Sequence, residues 1–331
     1  MSLKNTLVLY FAVFILTGMG HPLLGADAKD CKSNLVPRIE GPWWQVAGNP
    51  DLGDITSPKQ EPVDFAVWQA ADGTWQLWSC IRNTNCGGHT RVFHGWEGRN
   101  LTDKNWKPLG IMMEAKPELG ESLGGLQAPY VIRRDGKYYM FYGDWCNICL
   151  ATSRDGKKFH RQILDNGKTG MFNEGKGELA RDPMVLQVGD KYHCYYTAHS
   201  SNSPPKNHRG VNYCRISSDL RNWGSSKIVA EGSAYKKGPY SAECPHVVYH
   251  PESKCYFLFN TQVYGEGRHS TVYRSADPLY FGINDKQFEV ATLPVAAPEI
   301  ILHDGKYYIA SLMPTLKGIH IARLKWVAKG D

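Results

Sequence analysis

Five stretches of the chain share one pattern of apolar and polar positions. Each is a short apolar run that meets a polar turn and returns as a second apolar run rich in aromatic residues. In the first, Asp64–Trp68 turns at Asp72-Gly73 and returns through Trp75–Trp78. The second runs Ala128–Ile132, Asp135-Gly136, Tyr138–Tyr142, and the third Ala180–Val185, Gly189-Asp190, Tyr192–Tyr196. In the fourth, Cys244–Tyr249 turns near Glu252-Ser253 into Cys255–Phe259; in the fifth, Ala297–Ile301 turns at Asp304-Gly305 into Tyr307–Ile309. Asp-Gly between two β-rich runs is a strong hairpin signal, because both turn positions tolerate positive φ. Equivalent positions recur after 64, 54, 62 and 53 residues, the mark of one supersecondary unit repeated with loop insertions.

A second motif follows four of the five hairpins: Leu101–Trp106, Ser153–Phe159, Ser217–Trp223 and Ser275–Phe281. In each an Asp makes a turn and an aromatic residue a few positions on packs back, where a third strand hands over to a fourth. Four-stranded units of this length are propeller blades, set radially so that few edges are exposed. The last unit ends at its third strand, Ile319–Leu324, so an N-terminal segment is expected to supply the missing strand and close the ring. Gly41-Pro42-Trp43-Trp44 and Asn49–Gly53 read as irregular surface chain with an aromatic anchor. A β-sandwich is the alternative, but five units in register with two independent signatures favour an all-β fold, a five-bladed β-propeller of four-stranded antiparallel blades.

Composition agrees. Of 331 residues, 12% are aromatic and 33 are Gly, which suits strands and tight turns. The net charge of +6 is spread out; it permits an acidic substrate and gives no reason to expect nucleic acid. Residues 1–28 read as a secretory signal: Lys4, an apolar Leu7–Leu16 too short to span a membrane, and a small-x-small site at Ala26-Asp27-Ala28. Residues 29–331 are then one propeller domain, secreted or periplasmic, with no membrane contact after cleavage. Nine cysteines fit an oxidising destination and leave at least one unpaired in a monomer. Cys80 with Cys86, or Cys146 with Cys149, are spaced to close local loops. The single Cys-x-x-Cys is weak as a metal motif.

The first strand of each blade lines the central channel, so strand-one residues far apart in sequence converge. Acids stand at or beside the start of that strand in blades one, three and four: Asp64, Asp182 and Glu243. Gathered in a funnel they disfavour one another's ionisation, and at least one is expected to stay protonated near neutral pH. This acid set, with Arg181-Asp182-Pro183 and Glu243-Cys244-Pro245, resembles the five-bladed glycoside hydrolases. Family 32 carries Arg-Asp-Pro and Glu-Cys motifs in those blades, and family 43 carries an Asp, an Asp and a Glu. The resemblance, covering about residues 40–327, implies a carbohydrate substrate, with furanosides in view, and a carboxylate pair. It makes Glu243 the general acid. Asp182 would hold sugar hydroxyls and tune that acid, and Arg181 would bind a hydroxyl or a charged group. Asp64 would be the base, or the nucleophile if configuration is retained. Val63-Asp64-Phe65-Ala66 departs from the family 32 pattern, leaving Glu61 or Asp54 as alternatives to Asp64, and the balance leans to family 43.

His246 is expected to reach the site, more so than His303. Trp68 is taken as a substrate contact, and Trp43, Trp44 and Trp145 are further candidates for stacking on sugars, against a packing role for each. Glu299 faces toward or away from the channel according to strand alternation. The Asp165–Leu179 and Ser200–Arg209 stretches read as insertions that shape the pocket. No cofactor or metal is required, and an ion in the central channel stays open. The competing readings are a non-catalytic propeller that binds glycans or a protein partner, in which the acids do not converge or a loop plugs the channel, and a phosphorylase, which needs a second basic group beside Arg181.

Overall fold

The computed structural model describes residues 31, 34–175, 180–199, 209–232 and 238–330; the expected signal segment lies outside them. Five antiparallel sheets form the five blades of a β-propeller. Blade one is β2 (Glu61–Gln69), β3 (Trp75–Arg82), β4 (Val92–Gly98) and β5 (Lys107–Met113). Blade two is β6 (Gln127–Arg134), β7 (Lys137–Gly143) and β8 (Ile148–Ser153), with β9 (His160–Arg161) and β10 (Gly170–Phe172) both pairing β8. Blade three is β11 (Arg181–Val188), β12 (Lys191–His199), β13 (Gly210–Ser217) and β14 (Lys227–Glu231). Blade four is β15 (Glu243–His250), β16 (Cys255–Val263), β17 (His269–Ser275) and β18 (Glu289–Leu293). Blade five is β19 (Glu299–His303), β20 (Lys306–Leu312), β21 (Gly318–Ala328) and, as its outermost strand, β1 (Leu35–Gly48).

The ring therefore closes as the missing fourth strand required, with β1 pairing β21 from Leu35↔Ala328 to Gly48↔Gly318. Two sequence readings need correction here. Gly41–Trp44 is not irregular surface chain: it is part of β1, and a register shift between Glu40 and Trp44 absorbs the Gly-Pro. An outermost strand with a bulge is where a sheet tolerates proline. The Asp165–Leu179 stretch is not only an insertion, since β10 within it is the outer strand of blade two. Residues 176–179 and 200–208 of the two long stretches lie outside the described residues.

The Asp turns recur as expected. Asp155 Oδ1 accepts from the Lys157 and Lys158 N–H groups, and Asp219 Oδ1 from those of Arg221 and Asn222. These backbone donors hold Asp155 at about 2, well below the ordinary carboxylate range. Between blades the packing is aromatic. Trp68, Trp78 and Phe159 meet edge to face across blades one and two, and Phe257 and Trp326 pack 4.4 Å apart across blades four and five.

Neither local cysteine pair forms a bridge: Cys80, Cys86, Cys146 and Cys149 are all free thiols, and the disulfide joins Cys31 to Cys255. Cys80 is instead buried with its thiol on the Leu126 carbonyl, and Cys149 is turned onto the Asp144 carboxylate. The disulfide spans 224 residues and ties the chain just ahead of β1 to β16, so it latches the ring at its closing blade. Cross-links over long loops restrict the unfolded chain most. Cys255→Ser is expected to cost about 2–4 kcal/mol in denaturant unfolding; an unchanged midpoint would mean that β1 holds without the latch.

Candidate active site

The site is built by one backbone device used five times. Asp64, Ala128, Asp182, Cys244 and Ala297, the five equivalent positions, all have positive φ, from +35° to +57°. Residues other than Gly rarely adopt that region, and such strain clusters at functional sites. Pairing is broken at the same points: β11 pairs Arg181↔Thr197 and next Met184↔Tyr195, so Asp182 and Pro183 bulge against one partner residue. The same step occurs between Gln127 and Tyr130 and between Glu243 and His246, and in blade one Asp64 is the extra residue. Proline after the bulged residue removes an N–H that the ladder does not use there. A bulge re-aims a side chain. Here it turns the bulged residues onto the channel axis, where Asp64, Ala128, Asp182, Cys244 and Ala297 line one mouth with the prolines that follow four of them.

That mouth takes in about 320 Å³ of space that is open to solvent. Beneath the bulged residues it is walled by Tyr130, Met184, His246 and Glu299. Asp64 and Asp182 each bring a carboxylate oxygen within 4.8 Å of the other and of the Cys244 sulfur. Cys244 ties the two acids together: its N–H donates to Asp182 Oδ2 (3.1 Å) and its thiol to Asp64 Oδ1 (3.2 Å). Tyr264 Oη also donates to Asp64 Oδ1 (3.3 Å) and lies 3.1 Å from the Cys244 sulfur. Burial, then the nearby Asp182 and Asp64 carboxylates, keep Cys244 a neutral thiol. Among the described residues these three groups, two carboxylates and a thiol, are the set that could hold a metal ion.

Glu243 stands beside this cluster, on Arg181, whose Nη2 lies 3.1 Å from Glu243 Oε1 and whose Nε lies 3.8 Å from Asp182 Oδ2. In blade four the position equivalent to Asp182 is therefore Cys244, not an acid; Glu243 matches Arg181, and equivalent residues of adjacent blades pair. Tyr240, half exposed, lies over the Arg181 guanidinium at 5.8 Å. Burial and the Asp64 carboxylate push Asp182 up to about 7, against the opposing pull of Arg181. Of the three acids, Asp182 is thus the one whose surroundings favour a protonated carboxyl.

Other expectations divide. Asp64 lines the mouth, whereas Glu61 is held by Arg82 at 2.7 Å and Asp54 sits in an exposed 3-10 turn. Glu299 turns inward, where its Oε2 accepts from the Val67 N–H (2.8 Å) and burial pushes its carboxyl well above the ordinary range. His246 lines the channel wall but is a structural acceptor: its Nε2 takes the Ile300 N–H, and burial lowers it to about 4, so it is neutral. Trp68 is not at the mouth; it is buried between blades one and two with its indole N–H on the Gly156 carbonyl. Trp43 stacks on His320 and Trp44 packs on Tyr308, both within blade five. His303 packs on Trp75 at the far end of β19. Sequence reasoning missed Cys244, Tyr264 and Tyr240. The repeat offset places Cys244 opposite Asp182, whereas Tyr264 and Tyr240 lie in connections with no repeating pattern.

Asp182 gives a pH test. Because its carboxyl is raised in the folded state, the folded chain holds a proton that the unfolded chain releases near 3.8. That stabilisation is complete below this value and is lost as pH rises through about 7. Asp182→Asn is expected to flatten this loss, so that its unfolding free energy, set against the parent's, improves between pH 5 and pH 8. The ceiling for a carboxyl moved from about 4 to about 7 is about 4 kcal/mol. Parallel pH dependence in parent and variant would contradict the assignment.

Comparison with known proteins agrees with the geometry. The model of glycosyl hydrolases family 43 matches residues 89–287, more than half of the chain; the match includes Asp182 and Glu243 and leaves Asp64 outside. A thermostable family-43 glycoside hydrolase superposes with a TM-score of 0.60 at 16% identity, over 84% of this chain and 93% of that one. A Cellvibrio cellulosa α-L-arabinanase mutant gives 0.56 at 13% identity, over 81% and 91%. A Bombyx mori family-32 β-fructofuranosidase gives 0.60 at 14% identity, over 85% of this chain and 62% of that one. No curated protein sequence matches the chain. Among the described residues no helix is long and apolar enough to cross a membrane. On the family match the chain belongs to glycosyl hydrolases family 43 and is a glycoside hydrolase.

Proposed function

We propose that the protein is a secreted hydrolase of a furanoside linkage in an oligo- or polysaccharide, with Glu243 as general acid and Asp64 as base. The observation that carries this is that Asp64 and Asp182, from blades one and three, meet at one mouth, with Glu243 of blade four beside them on the buried Arg181. Glu243 gives its proton to the glycosidic oxygen as the bond to the anomeric carbon breaks. Asp64 takes a proton from the water whose oxygen bonds to that carbon. Two donors converge on Asp64 Oδ1, which fixes the carboxylate and leaves its other oxygen for the water. Burial and the Asp64 carboxylate favour a proton on Asp182. Sugar hydroxyls donating to Asp182 would favour its carboxylate and shift the proton requirement to Glu243, which is how Asp182 tunes the acid.

The furanoside draws support from the arabinanase and fructofuranosidase among the structural neighbours. Secretion draws support from the Cys31–Cys255 disulfide, a bond that persists in oxidising compartments. A second reading has its own support: burial and the Asp64 carboxylate favour a proton on Asp182 while Glu243 is paired with Arg181, which would make Asp182 the proton donor. Rates on aryl α-L-arabinofuranoside, β-D-fructofuranoside and β-D-xyloside test substrate and donor together. A furanoside should be cleaved at least about tenfold faster than the xyloside; a preference for the xyloside would reject the furanoside. The variant that keeps activity only on the most acidic phenol leaving group marks the proton donor.

A further inference from the structure

Three arginines lie around the acids, and they differ in their partners. Arg181 pairs with Glu243, and Arg82 pairs with Glu61. Arg91 makes no ion pair among the described residues. It nevertheless lies in the same blade as Asp64: it directly precedes Val92, which pairs Ile81, and the adjacent Cys80 pairs Val63, the residue before Asp64.

The surroundings of Arg91 are built and rigid. Its guanidinium lies 5.1 Å from the Trp145 ring centroid, and His89 stacks on the same indole at 3.8 Å and 10°. Trp145 has φ +87°, a region bulky residues avoid. Buried Asp144 holds it there, with Oδ1 accepting from the Cys146 N–H (2.9 Å) and the Asn147 N–H (2.6 Å). From blade one, the His89 N–H donates to the Leu123 carbonyl and the Arg91 N–H to the Gly124 carbonyl. Gly88 is so close to Leu123 that a Cβ there would fall 2.0 Å from its carbonyl oxygen. The cluster also adjoins the acids: the Cys146 carbonyl accepts from Ala180 N–H, and Ala180 precedes Arg181.

We propose that Arg91, Trp145 and His89 form a subsite for a sugar that carries an anionic group, a uronic acid carboxylate or a sulfate ester, next to the sugar bound at the acids. The subsite rests on the glycosidase reading of that mouth. A planar guanidinium matches such anions with paired donors. Stacking on the indole fixes the fork, and with no carboxylate paired to it among the described residues its charge is left for the ligand. The overall charge of +6 favours the approach of an acidic glycan.

Calorimetry on the Glu243→Gln chain, which binds without turnover, tests this with pairs of ligands of equal length. An arabinofuranosyl oligosaccharide with and without one glucuronic acid branch probes the carboxylate, and the same oligosaccharide with and without one sulfate probes the ester. At least one charged member should bind about tenfold tighter than its neutral partner, and 0.5 M NaCl should narrow the gap. Which pair shows the gap identifies the anion. Arg91→Gln should abolish the preference and leave neutral binding within about twofold, which also shows that the variant folds; Arg91→Lys should keep part of it. Equal affinity within both pairs, no binding of any ligand, or a preference that survives Arg91→Gln would overturn the proposal. Hydrolysis by the parent is scored separately. A chain that prefers the charged ligand but cleaves neither keeps the subsite and loses the hydrolytic reading, whereas one that cleaves neutral glycans with no charge preference loses only the subsite.

Discussion

Asp64→Asn is expected to lower kcat by about 10²–10⁴, the range for loss of a general base, with KM changed only a few-fold. The substitution is clean for structural reasons. Asp64 has φ +35°, and Asn tolerates positive φ as Asp does. The Cys244 thiol and the Tyr264 hydroxyl both donate to Asp64 Oδ1, and an amide oxygen accepts from both. Backbone, bulge and hydrogen bonds can all persist, and what disappears is the negative charge and the capacity to take a proton. Initial rates over a range of substrate concentrations check it, with the unfolding midpoint as the control for folding. If kcat stays within tenfold of the parent, the base lies elsewhere.

Glu243→Gln is expected to lose about 10²–10⁴ on glycans whose leaving group is a sugar hydroxyl. On an aryl glycoside with an acidic phenol the loss should shrink to about tenfold or less, because that group departs without a proton. Gln retains the shape and can still accept from Arg181, but it cannot replace the lost proton. Brønsted plots of log kcat/KM against phenol pKa make the measurement, steep for the variant and shallow for the parent. Equal losses across the series would point away from Glu243 and toward Asp182 as donor.

Much of this fold is legible because a propeller repeats one unit. Asp72-Gly73, Asp135-Gly136 and Asp304-Gly305 mark hairpins, and Asp155 and Asp219 mark the third turn of their blades through local hydrogen bonds that need no tertiary context. The repeat carries further than the hairpins. A step of 62 residues takes Arg181 to Glu243 and Asp182 to Cys244, and both pairs touch across adjacent blades.

What stayed hidden depends on contacts without a period. Trp68 alternates like a channel residue, yet it is spent between blades because Gly156 offers a carbonyl there. Cys31 finds Cys255 only because β1 closes the ring beside blade four, a long-range event that no local spacing records. Pro42 hid β1 itself, since a Gly-Pro reads as a break unless the strand is known to be outermost and bulged.

The most direct measurement is release of reducing ends from a panel of arabinan, xylan, fructan and acidic glycans by the parent, Asp64→Asn and Glu243→Gln proteins, each shown to be folded. The account predicts that the parent cleaves at least one glycan and that both variants lose at least about a hundredfold on it. Cleavage undiminished in either variant, or no cleavage of any glycan by the parent, would contradict the assignment of these carboxylates as the catalytic pair.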